Sequence, residues 1–386
     1  MKLKKQPAAG RSRKRRSESA AGVVRYAVIG LGHIAQAAML PAFGHAKRNS
    51  RLAALVSGSP KKLKLLGRRY RIEHLCSYGE TDSLFRSGQI DAVYIALPNN
   101  LHREWAVRAA KAGLHVLCEK PMAVTTRDCE AMIRAAALAR VKLMIAYRLH
   151  FEAANLFAAQ LSRGGQLGDL RFFSSDFFMQ VRENNIRLKK VKGGGPLYDI
   201  GIYCINAARA MLGEEPRSVL ATATRSRDRR FREIDENVAA TMRFKDERLA
   251  SFNCSFGAAD RATYTVTGTH GSVTLDSAYE YVDAISSRVR IGEREQTRQF
   301  GKRDQFAAEL EYFSQCILDN RTPEPSGAEG LADVRIIEAM HRSIRSGRWV
   351  EVKMSARKRR PTVKQNIRRP PVPSEPDLVD VKAASQ

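Results

Sequence analysis

The sequence predicts an α/β protein with two folded units. The first is a doubly wound parallel sheet, and the second is an α+β unit on a large, mostly antiparallel sheet. Three observations carry this. From Val23 to Arg148, apolar β-rich runs alternate with helical stretches. A glycine-rich turn, GLGHIA (30–35), joins the first run to the first helical stretch. Beyond His150 the alternation gives way to successive strand-like runs.

Taken in order, VVRYAVI (23–29) is the first strand, and a helical stretch runs from GLGHIA to about Lys47. RLAALVS (51–57) is the second strand, followed by a helical segment near 60–70, a short strand near 72–77 and a helix near 80–87. AVYIALP (92–98) reads as a buried strand, LHREWAVRAAKAG (101–113) as its helix, HVLCEKP (115–121) as the next strand, and KLMIAYR (142–148) as the last. A helix at about 151–163 opens the second unit and leads into LRFFSSDFFMQV (170–181). Strands follow in SVLATATR, NVAATMRF, LASFNCSF, TYTVTGT, SVTLD and AISSRVRI, with hairpin chemistry at TGTHGS (267–272). Amphipathic helices at about 303–319 and 328–346 complete the unit, and no internal repeat is visible. The predicted division is a basic arm (1–22), a first domain (23–148), a second (149–352) and a basic tail (353–386).

A chain of 386 residues is long for one core, in keeping with two domains. Its 44% hydrophobic and 27% charged residues are ordinary for a soluble globular protein. No apolar run approaches the roughly 18 residues that span a bilayer. Six scattered cysteines without a CxxC pair point to reduced, packed thiols, and eight histidines without an HExxH spacing give no metal site. The net charge of +26 is concentrated at the ends: residues 1–25 hold nine Lys/Arg against one acid, and residues 353–386 nine against three. Like-charge runs such as RSRKRR (11–16) and RKRR (357–360) repel, so both ends are predicted to be disordered arms. They are candidates only for weak, salt-sensitive contact with nucleic acid or acidic surfaces. Arg15-Arg16 precedes no separate apolar region, which predicts a cytoplasmic protein without an export signal.

GLGHIA fits G-x-G-x-x-[GA] through Gly30, Gly32 and Ala35, in the strand–turn–helix context of a Rossmann dinucleotide site. Gly30 permits the tight turn, and Gly32 lets the backbone approach a pyrophosphate. His33 and Ile34 open the helix whose N–H groups face the phosphates. A flavin or nucleotide-sugar site would use the same turn. The second strand ends in LVSGSPKK (55–62), with Ser57 where an NAD site carries an acid and Lys61 and Lys62 just beyond. The missing carboxylate and the cations predict NADP; lysines solvated at a helix start are the alternative. Pro98, Asn99 and His102 lie where the fourth strand ends, the edge at which such sheets bind ligands, although His102 could equally cap its helix.

The richest stretch is GGGPLYDIGIYCIN (193–206). Its glycines and proline predict a flexible approach and a helix start, with Asp199 and Tyr203 four residues apart on one face. A phenol can pass a proton, and a carboxylate can orient or neutralise a neighbour. A free tyrosine, with a pKa of about 10, needs a nearby cation to serve as a base at neutral pH.

GLGHIA, ALPNNLH (96–102), CEKPM (118–122) and GGGPLYDIGIYCIN together resemble the Gfo/Idh/MocA oxidoreductases, from about Val23 to Val352. Within that family the likeness is to the glucose–fructose oxidoreductase branch and its NADP-dependent sugar-dehydrogenase relatives. Tyr203 supports this branch, since many members carry His there. The resemblance implies a hydride transfer between NADP and a sugar or polyol. It places Lys120 beside the nicotinamide and the reacting hydroxyl, and Glu119 beside the cofactor. Pro121 would follow an unusual peptide geometry that aims Lys120 inward. Asp199 would orient substrate or lysine, Tyr203 would act as proton donor or acceptor, and Arg148 would lie at the substrate pocket. It also implies homo-oligomers formed through the open face of the second sheet. A dihydrodiol-type dehydrogenase and a non-catalytic, NADP-sensing regulator are the competing readings.

Overall fold

The computed structural model describes residues 22–355, 359–373 and 376–385. The basic arm lies outside the described residues, apart from Gly22.

Six strands form a parallel sheet: β1 (Val24–Ile29), β2 (Ser50–Val56), β3 (His74–Cys76), β4 (Ala92–Ile95), β5 (His115–Glu119) and β6 (Leu143–Ala146). Every residue of β4 and β6 is buried, as expected of strands covered on both faces. The order is β3-β2-β1-β4-β5-β6, so the winding reverses between β1 and β4 and opens a crevice at their C-terminal ends. The crossovers are α1 (Leu40–Ala42, continuing a π-wound segment Ala35–Met39), α2 (Pro60–Tyr70), α3 (Thr81–Arg86), α4 (His102–Lys111) and α5 (Thr126–Ala139). The sequence reading had no helix at α5. Thr125 caps it by accepting from the Asp128 amide at 3.1 Å.

The second sheet follows α6 (Ala153–Arg163). Its strands are β7 (Leu170–Phe178), β8 (Ser218–Thr224), β9 (Asn237–Arg243), β10 (Leu249–Ser255), β11 (Arg261–Gly268), β12 (Gly271–Asp276), β13 (Ile285–Ile291), β14 (Arg294–Phe300) and β15 (Val350–Glu351). Their order is β14-β13-β12-β11-β7-β10-β9-β8-β15, antiparallel except for the β7–β10 pair. Helices α6, α7 (Ile202–Leu212) and α9 (Gly327–Ser346) cover one face. The other presents Phe172, Ser174, Ser251 and Asn253 to solvent. The mixed α/β class and both sheets agree with the sequence reading. β14 and β15 are additions: β14 is exposed along almost its whole length and has no apolar alternation to betray it.

Two expectations are corrected. Helix α8 (Gln305–Leu318), assigned to the second domain, packs back on the first sheet. Its Phe306, Leu310 and Phe313 share a core with Val24, Tyr26 and Val28 of β1, and Ser314 Oγ lies 2.7 Å from both Tyr26 Oη and Ser50 Oγ. The described part of 353–386 is also no free arm. Arg360 Nη2 donates to Glu215 Oε1 (3.1 Å), Arg369 forks onto Glu311, and Gln365 Nε2 donates to Glu324 Oε2 (3.0 Å). Val379 is buried in the first-sheet core. Self-repulsion along the tail is overcome because the body supplies the carboxylates and the apolar seats.

Candidate active site

The crevice between β1 and β4 is built by the turns that leave the parallel strands. Gly30 has φ of 92°, and a Cβ there would meet the Ala96 carbonyl oxygen at 2.5 Å, so only glycine fits. A Cβ on Gly32 would meet nothing within 4 Å; its backbone faces open space, the cradle a pyrophosphate requires. The helix starting at His33 follows, with Ala35 fully buried against the sheet. Ser57 is buried and its Oγ accepts from the Ser59 amide at 3.1 Å. Ser59 in turn caps α2 at the Lys62 amide, and burial holds Lys62 below the usual lysine range. The residues present therefore fit a dinucleotide.

At the far end of the crevice, β5 ends in Glu119 and Lys120, and the Lys120–Pro121 peptide is cis. Lys120 Nζ donates to the Asp199 carbonyl oxygen at 2.7 Å and to Asp199 Oδ1 at 3.1 Å. The same Nζ lies 4.7 Å from the centre of the Tyr203 ring. Asp199 sits in a π-wound segment (Leu197–Gly201) leading into α7. Such a turn departs from the regular helical ladder, and here its carbonyl is a ligand for Lys120. Arg187 Nε completes the cluster by donating to Asp199 Oδ2 at 2.6 Å.

The glycine run packs closely on the backbone of residues 187–189. A Cβ on Gly194 would stand 2.2 Å from the Arg187 carbonyl oxygen, and the Gly195 amide donates to that oxygen at 2.9 Å. The run thus folds residues 187–195 back so that Arg187 reaches Asp199. Asn99 Nδ2 donates to the Gly193 carbonyl at 2.9 Å and ties the end of β4 to this loop.

Electrostatics assign distinct states to these groups. Burial alone would raise Asp199, but Arg187 and Lys120 outweigh it and hold the carboxyl at about 2. Burial also opposes the charge on Lys120, yet Asp199 and Tyr203 prevail and its pKa is raised. Lys120 is thus a fixed cation and Asp199 a fixed anion at neutral pH. Burial raises Glu119, which accepts from Tyr94 Oη and from the Lys120 amide (3.2 Å).

The structure thus brings Lys120, Asp199 and Tyr203 together, with Glu119 bonded to the Lys120 amide, Asn99 bonded to the adjoining glycine loop, and Pro98 just before Asn99 at the end of β4. Arg148 arrives too, but buried: it donates to Gln305 Oε1 at 2.7 Å and to the Tyr279 and Glu280 carbonyls, with its guanidinium 5.1 Å from the Tyr203 ring centre. His102 is fully buried, its ring nitrogens 2.8 Å from the Pro121 and Leu97 carbonyls, so both nitrogens are engaged by the backbone that leads into and out of the site. Sequence reasoning missed Arg187, Tyr279 and Tyr281. Tyr279 and Phe177 pack on Tyr203 with ring centres at 5.9 and 5.6 Å, and Tyr281 stands 5.1 Å from the Arg148 guanidinium. Arg187 carried no signal of its own, since Lys189, Lys190 and Lys192 lie nearer the glycine run. Among the described residues no group of acids, His and Cys could hold a metal, every cysteine is free, and no helix is long and apolar enough to cross a membrane.

Comparison with known proteins places both halves of the chain in one family. Residues 24–147 match the oxidoreductase family with an NAD-binding Rossmann fold, and residues 156–274 match the GFO/IDH/MocA C-terminal domain. An uncharacterized oxidoreductase of Rhizobium meliloti is 30% identical, over 86% of this chain and 99% of its own. The D-xylose 1-dehydrogenase (NADP+) of Haloarcula marismortui is 30% identical, over 82% of this chain and 90% of its own. The solved aldose–aldose oxidoreductase of Caulobacter crescentus, complexed with glycerol, is 41% identical with a TM-score of 0.82, over 86% of this chain and all of that one. With both halves of the chain matched by the family's two domains and a relative 30% identical over 86% of it, this protein belongs to the Gfo/Idh/MocA family of NAD(P)-dependent oxidoreductases.

Proposed function

We propose that this chain is an NADP-dependent oxidoreductase that moves a hydride between the nicotinamide and a hydroxyl or carbonyl of a sugar or polyol. The observation that carries it is Lys120, hydrogen-bonded to Asp199 and poised over the Tyr203 ring. The nicotinamide, when bound, supplies the hydride acceptor for oxidation or the donor for reduction. The chain's own task is the proton on the reacting oxygen. Asp199 is ionised well below neutral pH and Lys120 is held protonated, so neither exchanges a proton readily. Tyr203 is the remaining group of the cluster able to do so. Lys120 and Arg148 flank its ring and stabilise the negative charge that develops on the phenol oxygen as its proton leaves. Asp199 and Arg187 fix the Lys120 head group so that no reorganisation is needed during the step.

NADP is supported by the absence of an acid at the end of β2 and by Lys61 and Lys62 beyond it. The D-xylose dehydrogenase relative carries the same cofactor in its name. The sugar class is supported by the xylose and aldose enzymes this chain resembles. We assign homo-oligomer contact to the uncovered face of the second sheet, where Phe172 is 53% exposed. The test of the whole reading is Tyr203→Phe: nucleotide is retained by mass spectrometry while sugar-dependent turnover collapses.

A further inference from the structure

The last described segment, residues 376–385, reaches the nucleotide site from the opposite end of the chain. Gln36, on the helix that follows the glycine turn, holds Val379 at both polar atoms: its Oε1 accepts from the Val379 amide at 2.7 Å, and its Nε2 donates to the Val379 carbonyl at 3.0 Å. The same Nε2 donates to the Leu31 carbonyl inside the turn, so the segment is bonded to the phosphate-binding motif itself. Arg69 Nη1 on α2 donates to the Asp377 carbonyl at 2.5 Å. Four and five residues beyond Asp380, the chain docks on the second unit, where the Arg182 amide and Nε donate to the Ala384 and Ser385 carbonyls at 2.9 and 2.6 Å. Five residues span at most roughly 17 Å, so this is a short strap from the glycine turn to the second unit.

Asp380 stands on that strap with Oδ1 2.8 Å from Lys61 Nζ. Lys61 and Lys62 are the two cations assigned above to a 2′-phosphate, and the Asp380 charge also acts on Lys62. An acid from the far end of the sequence therefore stands against the lysine that follows β2. We propose that Asp380 competes with the cofactor 2′-phosphate for Lys61 and Lys62, and is thereby a specificity-determining residue that biases the site against NADP relative to NAD. The inference rests on the cofactor placement proposed above. A phosphate and a carboxylate cannot both neutralise one exposed lysine without repelling each other, whereas a ribose 2′-hydroxyl beside Asp380 finds an acceptor.

Asp380→Asn tests this with little disturbance, because asparagine tolerates the left-handed backbone (φ 50°) that Asp380 adopts. Dissociation constants for NADP and for NAD are measured by calorimetry on nucleotide-free protein at low salt. The measurement is made for the full chain, for Asp380→Asn, and for Asp380→Asn in a Lys61→Met background. The expected result is NADP affinity raised about five-fold by Asp380→Asn with NAD affinity unchanged or weakened, an effect that disappears with Lys61→Met and shrinks at high salt. An NADP-to-NAD ratio that Asp380→Asn leaves unchanged overturns the inference. A full chain that prefers NAD, yet moves toward NADP in Asp380→Asn, overturns the NADP reading and leaves this inference standing. A full chain that prefers NADP with an unmoved ratio does the reverse.

Discussion

At the scale of single residues, the site works through fixed charges around one proton carrier. Asp199 illustrates the sign of the effect. Its folded pKa of about 2 lies below the usual carboxylate value of about 3.9, so its ion pairs contribute stability above that usual value. The contribution is lost as pH falls through about 2. Asp199→Asn is expected to lower unfolding stability by on the order of 2 kcal/mol at neutral pH, less as pH drops below 4. Urea unfolding of both proteins across pH measures it, and a gap that widens on acidification contradicts the assignment. The motifs that carry Lys120, Asp199 and Tyr203 were readable because each sits in a short, distinctive string. Arg187 was not, since its reach to Asp199 depends on how the glycine run folds back. Arg148 and His102 were placed in the right neighbourhood, but their burial and their hydrogen bonds to backbone carbonyls were not readable from short motifs.

At the scale of elements, the parallel strands were legible because continuous apolar runs such as AVYI and LMIA need cover on both faces. The exposed β14 was not, because its stability comes from pairing with β13 rather than from a buried face of its own. The glycine run is the element most open to test. Gly194→Ala forces a Cβ against the Arg187 backbone carbonyl, which cannot yield as a side-chain tip would. Because the displaced atom belongs to the residue that fixes Asp199, we expect about a ten-fold loss of turnover, with a melting temperature within a few degrees of the parent. A variant with parental turnover would detach the loop from catalysis.

At the scale of the whole molecule, the two sheets share their cover. Helix α8 returns to the first sheet, and the tail threads past both, bonding to Glu215, Glu324 and Glu311 before it reaches Gln36. Composition could not show this, because a basic run looks the same whether its partners are solvent or buried carboxylates. The uncovered face of the second sheet, with Phe172 at its middle strand, is the surface assigned to subunit contact. Light scattering is expected to give a mass above that of one 43.1 kDa chain, falling toward it in Phe172→Glu. A parent already at monomer mass removes that assignment.

The central claim is that Tyr203, between Lys120 and Arg148, moves the proton during hydride transfer. Tyr203→Phe removes the hydroxyl and keeps the ring packed on Phe177 and Tyr279. The direct measurement mixes parent and variant with NADP and a panel of sugars and polyols and follows the near-ultraviolet absorbance of reduced nicotinamide. The account predicts turnover by the parent on at least one substrate, and a loss of about 100-fold or more in the variant with nucleotide affinity preserved. Near-parental turnover by Tyr203→Phe would contradict it.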